Sequence, residues 1–223
     1  MMNSGKHLYR ILRFDHAVQV LKGELYFSHP SQWDDPYETH VKHDYDHAIF
    51  AQCWTTASMS DAMWRIYSPD FLGVRIRTTA GKLKQALLTY TGSHKGFKRR
   101  LEQVQYLQQG DYKGEIAQLE LLMSDVDFSG PSIAADLLCR KRSAFKHENE
   151  VRAILFNSKA ERSESGLEKG IVVGVDGVEL IDSVLFDPRA PDELCNAMRH
   201  YLKDVLKFPG DVRKSKLYTL SSR

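Results

Sequence analysis

The chain has 223 residues, 42% of them hydrophobic and 27% charged, with a net charge of +2. That length buries a sizeable core without covalent staples, and that balance gives no electrostatic argument for nucleic acid. Cys53, Cys139 and Cys195 are far apart and odd in number, which excludes a disulfide framework and a CxxC metal pair and fits a reducing compartment.

Leu8–Leu12 reads as a first strand, and residues 16–22 as a helix with apolar positions at 17, 18, 20 and 21. Asp15 is placed to cap that helix and Gly23 to end it. Strand 24–28 then runs into a loop holding Asp34, Asp35 and Glu38, with Pro30 and Pro36 blocking regular structure. The loop is either a site wall or a rigid turn whose aspartates bond their own backbone. Residues 49–55 read as a strand, 58–67 as a helix and 71–77 as a half-buried strand. Segments 79–90, 111–125 and 131–141 read as helices and 103–107 as a short strand. The chain turns β again at 151–157, 170–175 and 180–186, before an amphipathic helix over 191–206 and a final edge strand at 217–220. The expected architecture is one α+β domain over 1–223. A mixed, mainly antiparallel sheet is built from both ends of the chain, with a helical insertion over roughly 79–141.

Polar residues on apolar elements mark the candidate chemistry. Arg10, beside Tyr9 on the first strand, must face solvent or meet a carboxylate. Trp64 and Tyr67 share a helix face, either as core or as a stacking surface. Glu148, Glu150 and Arg152 fall on one side of a strand if it begins near Glu148. That row is either a solvated edge or a cleft wall, with Lys141 just upstream. His40, His43 and His47 have helical spacing beside Asp44 and Asp46, but match no established zinc signature, so no metal site is assigned. No Walker loop, GxGxxG or GxSxG elbow is present. The opening residues lack an apolar leader-like region and no run approaches a membrane span, so a soluble, cytoplasmic protein is expected.

The segments Leu8-Tyr9-Arg10, Glu24 to Glu38, Cys53-Trp54-Thr55, Met63-Trp64-Arg65-Ile66-Tyr67, Gly73-Val74 and Lys141…Phe145…Glu148-x-Glu150-x-Arg152 occur in this order. Together they resemble the bacterial family catalogued as domain of unknown function 2971, and the tail Ser183-Val184…Asp187-Pro188…Ser215-Lys216-Leu217 fits too. Asp34 stands where that family usually has Asn, and Leu12 replaces an aromatic. The layout is similar to the ADP-ribosyltransferase fold. That resemblance implies that Tyr9 and Arg10 hold NAD, that Trp64 or Tyr67 stacks on nicotinamide, and that Glu148 or Glu150 is the catalytic carboxylate, with Arg152 beside it. Asp34, Asp35, Glu38 and Lys141 would form a substrate or structural loop. Two other readings stand beside it. One is a non-catalytic protein binding a nucleotide or a partner. The other is a metal-dependent nuclease or phosphoesterase using Asp34, Asp35, Glu38, Glu148 and Glu150. Glu150→Gln is expected to leave folding intact if Glu150 serves a site.

Overall fold

The computed structural model describes residues 2–38, 45–124, 130–157, 159 and 168–220. In chain order the elements are β1 (His7–Arg13), α1 (Phe14–Leu21), β2 (Glu24–Ser28), β3 (Ile49–Thr55), α2 (Asp61–Tyr67), β4 (Gly73–Thr79), α3 (Ala80–Ser93), β5 (Phe97–Gln103), β6 (Gln105–Leu107) and α4 (Gln109–Ser124). They continue with α5 (Gly130–Leu137), β7 (Arg140–Arg142), β8 (Glu150–Asn157), β9 (Gly170–Gly174), α6 (Gly177–Leu180), β10 (Ser183–Phe186), α7 (Asp192–His200) and β11 (Asp211–Lys214). The fold is α+β with a mixed, mainly antiparallel sheet, β10 and β11 pairing in parallel.

The chain divides into two compact units, one of Met1–Met2, Tyr26–Trp54 and Lys84–Val173, the other of Asn3–Leu25, Thr55–Leu83 and Gly174–Arg223. In the first unit β8 lies between β3 and β5. Its residues 150–156 are all buried, because a strand with neighbours on both sides and covered faces reads as a continuous rather than alternating apolar run. Ile49, Ala51, Ala134, Ala135, Leu138, Cys139, Ile154 and Phe156 form its core against α5.

In the second unit β1 pairs with β4 along seven residues, and β10 joins β4 to β11. Leu8, Val74, Ile76, Val184, Phe186 and Val212 alternate onto one buried face, and each contributes about 1.5–3 kcal/mol of burial. Ala17, Val20 and Leu21 of α1, and Cys195 and Met198 of α7, are buried with them. Gly23 turns the chain with a φ of +102°, and a Cβ there would lie 2.9 Å from the Val175 carbonyl oxygen. Glycine therefore serves both the left-handed backbone and the close approach.

Several elements depart from the sequence reading. Asp15 does not cap α1. Arg13 occupies the cap position, and Asp15 sits in the first turn, where it accepts from Arg13 Nε at 3.0 Å. The carboxylate still favours the positive end of the helix. The third middle helix stops at Leu137, and the chain re-forms as β7. Residues 217–220 are not a strand; Asp211–Lys214 is, held by a parallel ladder to β10. The last helix is regular to His200 and continues as a π-helical turn over Tyr201–Val205.

Ser60 caps α2 through Met63 N at 3.3 Å. At its other end the Arg189 guanidinium donates to the Trp64 and Ser68 carbonyl oxygens at 3.0 and 2.8 Å, supplying acceptors of the last turn with a partner. The same guanidinium grips Asp187, and these bonds outweigh burial to hold the Asp187 carboxyl below its ordinary range. Trp64 is 1% exposed and packs with Ile11, Met63, Leu185 and Leu217. It is core here, and Tyr67, at 44% exposure, is the aromatic of α2 that presents surface. Trp64→Ala is expected to cost about 3–5 kcal/mol, read as a lower urea midpoint with an unchanged slope.

Candidate functional site

The site is assembled on the first unit, beginning at the start of β8. Residues Ser143–Glu148 form a 3-10 turn, and Asn149 follows with φ 44° and ψ 50°. Asn tolerates this left-handed conformation better than most residues. The reversal means that β8 begins at Glu150, so Glu148 reaches its neighbours from the turn and not by strand alternation. The Glu150 amide donates to the Tyr106 hydroxyl at 2.8 Å, and burial raises that phenol to about 12.

Two cations and three carboxylates meet here. Lys141 Nζ lies 2.7 Å from Glu148 Oε2, 3.2 Å from Glu38 Oε1 and 3.3 Å from Glu150 Oε2. Arg152 donates from Nε to Glu150 Oε1 at 2.8 Å and from Nη2 to Glu150 Oε2 at 3.0 Å. Its guanidinium also donates to Glu38 Oε1 and to the Leu138 carbonyl oxygen. Trp33 covers the guanidinium at 4.5 Å and Phe145 flanks the Lys141 ammonium at 4.7 Å. Arg152 has 0% exposure, Glu150 4%, Glu148 6% and Lys141 7%. The row is therefore not a solvated edge. Desolvating one such ion costs several kcal/mol, and the arrangement persists only because each charge meets opposite charge at hydrogen-bonding distance.

The balance of charge sets the protonation. Burial pushes the Glu150 carboxyl up, but Arg152 and Lys141 outweigh it and hold it at about 2. Burial likewise disfavours the Lys141 ammonium, and Glu150, Glu38 and the Glu148 hydrogen bond raise it well above its ordinary value. Burial lifts the Cys139 thiol to about 12, so it is not a thiolate nucleophile at neutral pH. Three carboxylates, Glu38, Glu148 and Glu150, stand against two cations, Lys141 and Arg152, a formal excess of one negative charge.

Around it, the loop of residues 27–38 acts partly as scaffold. Asp35 accepts from the Tyr37 amide at 3.0 Å and from Arg142 Nη2 at 3.1 Å, and Arg142 lies 3.7 Å from the Tyr37 ring centre. Tyr112 donates to the Tyr37 carbonyl oxygen at 3.0 Å. The turn expected of the loop's aspartates thus holds for Asp35, while Glu38 enters the buried cluster and Asp34 stays exposed.

Of the residues singled out from sequence, the structure brings Glu38, Lys141, Glu148, Glu150 and Arg152 into one network. Tyr9, Arg10, Trp64 and Tyr67 belong to the second unit. There Tyr9 is 8% exposed and Arg10 is partly buried. Trp33, Arg142 and Tyr106 were not singled out. Their only signal was position, Trp33 in the acidic loop and Arg142 beside Lys141. His40, His43 and Asp44 lie outside the described residues, and among the described residues no group of three His, Cys, Asp or Glu is set to hold a metal.

Residues 63–153 match the family model described as "Protein of unknown function (DUF2971)". The resemblance is to that family. The match runs from Met63-Trp64 through Arg152, so it contains Lys141, Glu148 and Glu150, while the Leu8–Arg10 and Glu24–Glu38 segments lie before it. The chain is similar to two solved structures of DarT from Thermus sp. 2.9. One is in complex with carba-NAD+, at 13% identity and a TM-score of 0.43, covering 96% of this chain and 98% of that one. The other is in complex with ADP-ribosylated ssDNA, at 10% identity and a TM-score of 0.42, covering 97% of each chain. No curated protein matches the chain.

Two outcomes follow from this electrostatics. Lys141→Met leaves three carboxylates facing one arginine and is expected to destabilise the fold by about 3–5 kcal/mol in chemical denaturation. Glu150 has a folded-state value of about 2 against an ordinary 4.5. Its contribution is therefore complete above about pH 4.5 and is lost as pH falls toward 2. Melting temperature measured down that range should fall more steeply in wild type than in Glu150→Gln.

Proposed function

We propose that the chain is a bacterial, cytosolic enzyme of the ADP-ribosyltransferase-like kind, which consumes NAD by transferring its ADP-ribosyl group. One observation carries the reading: a buried carboxylate cluster with a formal excess of one negative charge, in which Glu150 is held ionised down to about pH 2. In this reaction the bond between ribose C1′ and the nicotinamide ring nitrogen breaks. Its electron pair leaves with the ring, so a cationic pyridinium departs as neutral nicotinamide. Positive charge then develops on the ribose as an oxocarbenium ion until a nucleophile donates a new pair and loses its proton. A leaving group that departs neutral needs no general acid. What the chemistry needs is a fixed carboxylate beside the developing cation.

Within the cluster the roles separate by burial and bonding. Glu150 is gripped by Arg152 and Lys141 together, which suits it to hold the geometry. Glu148 pairs with Lys141 at 2.7 Å and leaves the 3-10 turn, which suits it to meet the ribose. Glu150→Gln is accordingly expected to disturb folding, in contrast to the sequence-based expectation, because it removes one of the two carboxylates, Glu150 and Glu38, that compensate the fully buried Arg152.

A nucleotide- or partner-binding protein without turnover is the second reading, favoured by how completely the cluster's charges are paired among themselves. A metal-dependent phosphoesterase would need its cation where Glu38, Glu148 and Glu150 converge, and the Lys141 ammonium holds that point.

Nicotinamide release from NAD, measured on wild type and on Glu148→Gln, separates these. The transferase reading expects release by wild type and a loss of about 100-fold or more in the variant, whose melting temperature stays within a few degrees. Turnover that survives Glu148→Gln, or a wild type that neither releases nicotinamide nor is stabilised by NAD, overturns it.

A further inference from the structure

The second unit carries a group of cations that no carboxylate cluster balances. The β-ladders place Arg75 between Ile11 and Leu185, and Arg77 between Tyr9 and Ser183, with Arg213 next beyond Leu185. Because side chains alternate, these residues rise from the same sheet face, the one opposite Val74, Ile76 and Val184. The Arg75 guanidinium leans diagonally over the Tyr9 ring at 4.7 Å. Among the described residues, no carboxylate oxygen lies within 4 Å of it.

Its neighbours are only loosely compensated. Arg77 Nε comes no nearer to Asp182 Oδ2 than 3.7 Å, and that carboxylate is already bonded to Lys82 Nζ at 2.7 Å. Arg213 meets Asp211 at 3.1 Å at an exposed rim. Arg75, Arg77, Lys82 and Arg213 thus stand against Asp182 and Asp211, an excess of two positive charges. The Nε atom of Arg75 is buried without a hydrogen-bond acceptor, and that of Arg77 has only Asp182 Oδ2, beyond hydrogen-bonding distance at 3.7 Å. A buried donor left without a partner is costly, and an acceptor brought by a ligand is one way to satisfy it. Burial lowers the Arg75 guanidinium from its ordinary value. Tyr9 opposes that, and Arg77 and Arg213 add to it, as like charges sharing one small region do.

The alternative is a solvated face whose arginines extend into water. Such arginines lay their stems on the sheet and keep their Nη groups in water, and Arg75 and Arg77, both half-buried, hold those groups at the edge of this face without a carboxylate close enough to bond them.

We infer that Arg75, Arg77 and Arg213, with the Tyr9 ring beneath Arg75, form a binding site for a phosphate-bearing small anion carrying two or more negative charges. Guanidinium groups suit this ligand because their planar forks donate pairs of hydrogen bonds to phosphate oxygens. The inference does not need the transferase reading, since binding is measured without turnover and either can fail alone.

The test is calorimetric titration and thermal shift of the full chain with inorganic pyrophosphate, against chloride at matched ionic strength. Pyrophosphate should raise the melting temperature where chloride does not. Arg75→Gln should weaken binding about tenfold or more, the loss expected for one charge-assisted contact. Its unligated melting temperature should equal or exceed that of wild type, because a like charge has been removed. Arg213→Gln, at the exposed rim, should weaken binding less and leave the fold untouched. No stabilisation beyond chloride overturns the inference, as does equal pyrophosphate affinity in wild type and both variants. A single-stranded oligonucleotide that binds where pyrophosphate does not also overturns it, in favour of a phosphodiester backbone. Should Arg75→Gln not fold, Arg213→Gln decides alone, and unchanged affinity there counts against the site.

Discussion

Arg152 has no exposure, and an arginine cannot escape the cost of burial by shedding its proton. It must therefore be met by carboxylates at hydrogen-bonding distance, and much of the first unit is arranged to meet it. Glu150 comes from the same strand two residues away, Glu38 from the loop 114 positions earlier, and the Leu138 carbonyl from the end of α5. Two carboxylates against one arginine would leave the opposite problem, and Lys141 answers it from β7 while drawing in Glu148. A loop, a helix end, a short strand, a turn and a central strand are thus tied to one electrostatic requirement.

The same requirement divides chemical labour. A carboxylate locked by two cations is strongly acidic and does not shuttle protons near neutral pH, so Glu150 is poorly suited to general acid–base work. It is well suited to holding Arg152 and Lys141 in place, which in turn fixes Glu148. The aromatic walls serve this end too. Trp33 and Phe145 exclude water while offering ring faces to the cations. Arg142 stacks on Tyr37 and anchors Asp35, which stiffens the loop that delivers Glu38.

The second unit shows both ways of treating an arginine inside a fold. Arg189 is paired: a buried aspartate neutralises it, and its Nη2 also donates to the Trp64 and Ser68 carbonyl oxygens. It works as a clamp between α2 and the stretch after β10. Arg75 has an aromatic face and cationic neighbours instead. The contrast between two arginines of one unit is what makes the Arg75 face conspicuous, since the fold evidently has the means to pair a cation when pairing is all that is needed.

Local pattern was enough to read β1, β2, β3, α2 and β4, whose apolar positions repeat with the period of the element they form. It also put Glu150 and Arg152 on one side of a strand, because alternation is a property of the strand alone. It did not reveal β5, since Lys98-Arg99-Arg100 resembles a solvated loop until the ladder to β8 supplies its hydrogen bonds. Nor did it reveal β11, a four-residue strand defined by its pairing with β10. Which residues carry the charges was legible. Their burial was not, because the same row suits a wet edge or a covered interior strand, and only the neighbours β3 and β5 decide. The contact of Glu38 with Arg152 lies beyond any local rule, and so does the convergence of three carboxylates on Lys141. Sequence specifies periodicity and chemical type; tertiary packing alone determines which charges lose their water and must find each other.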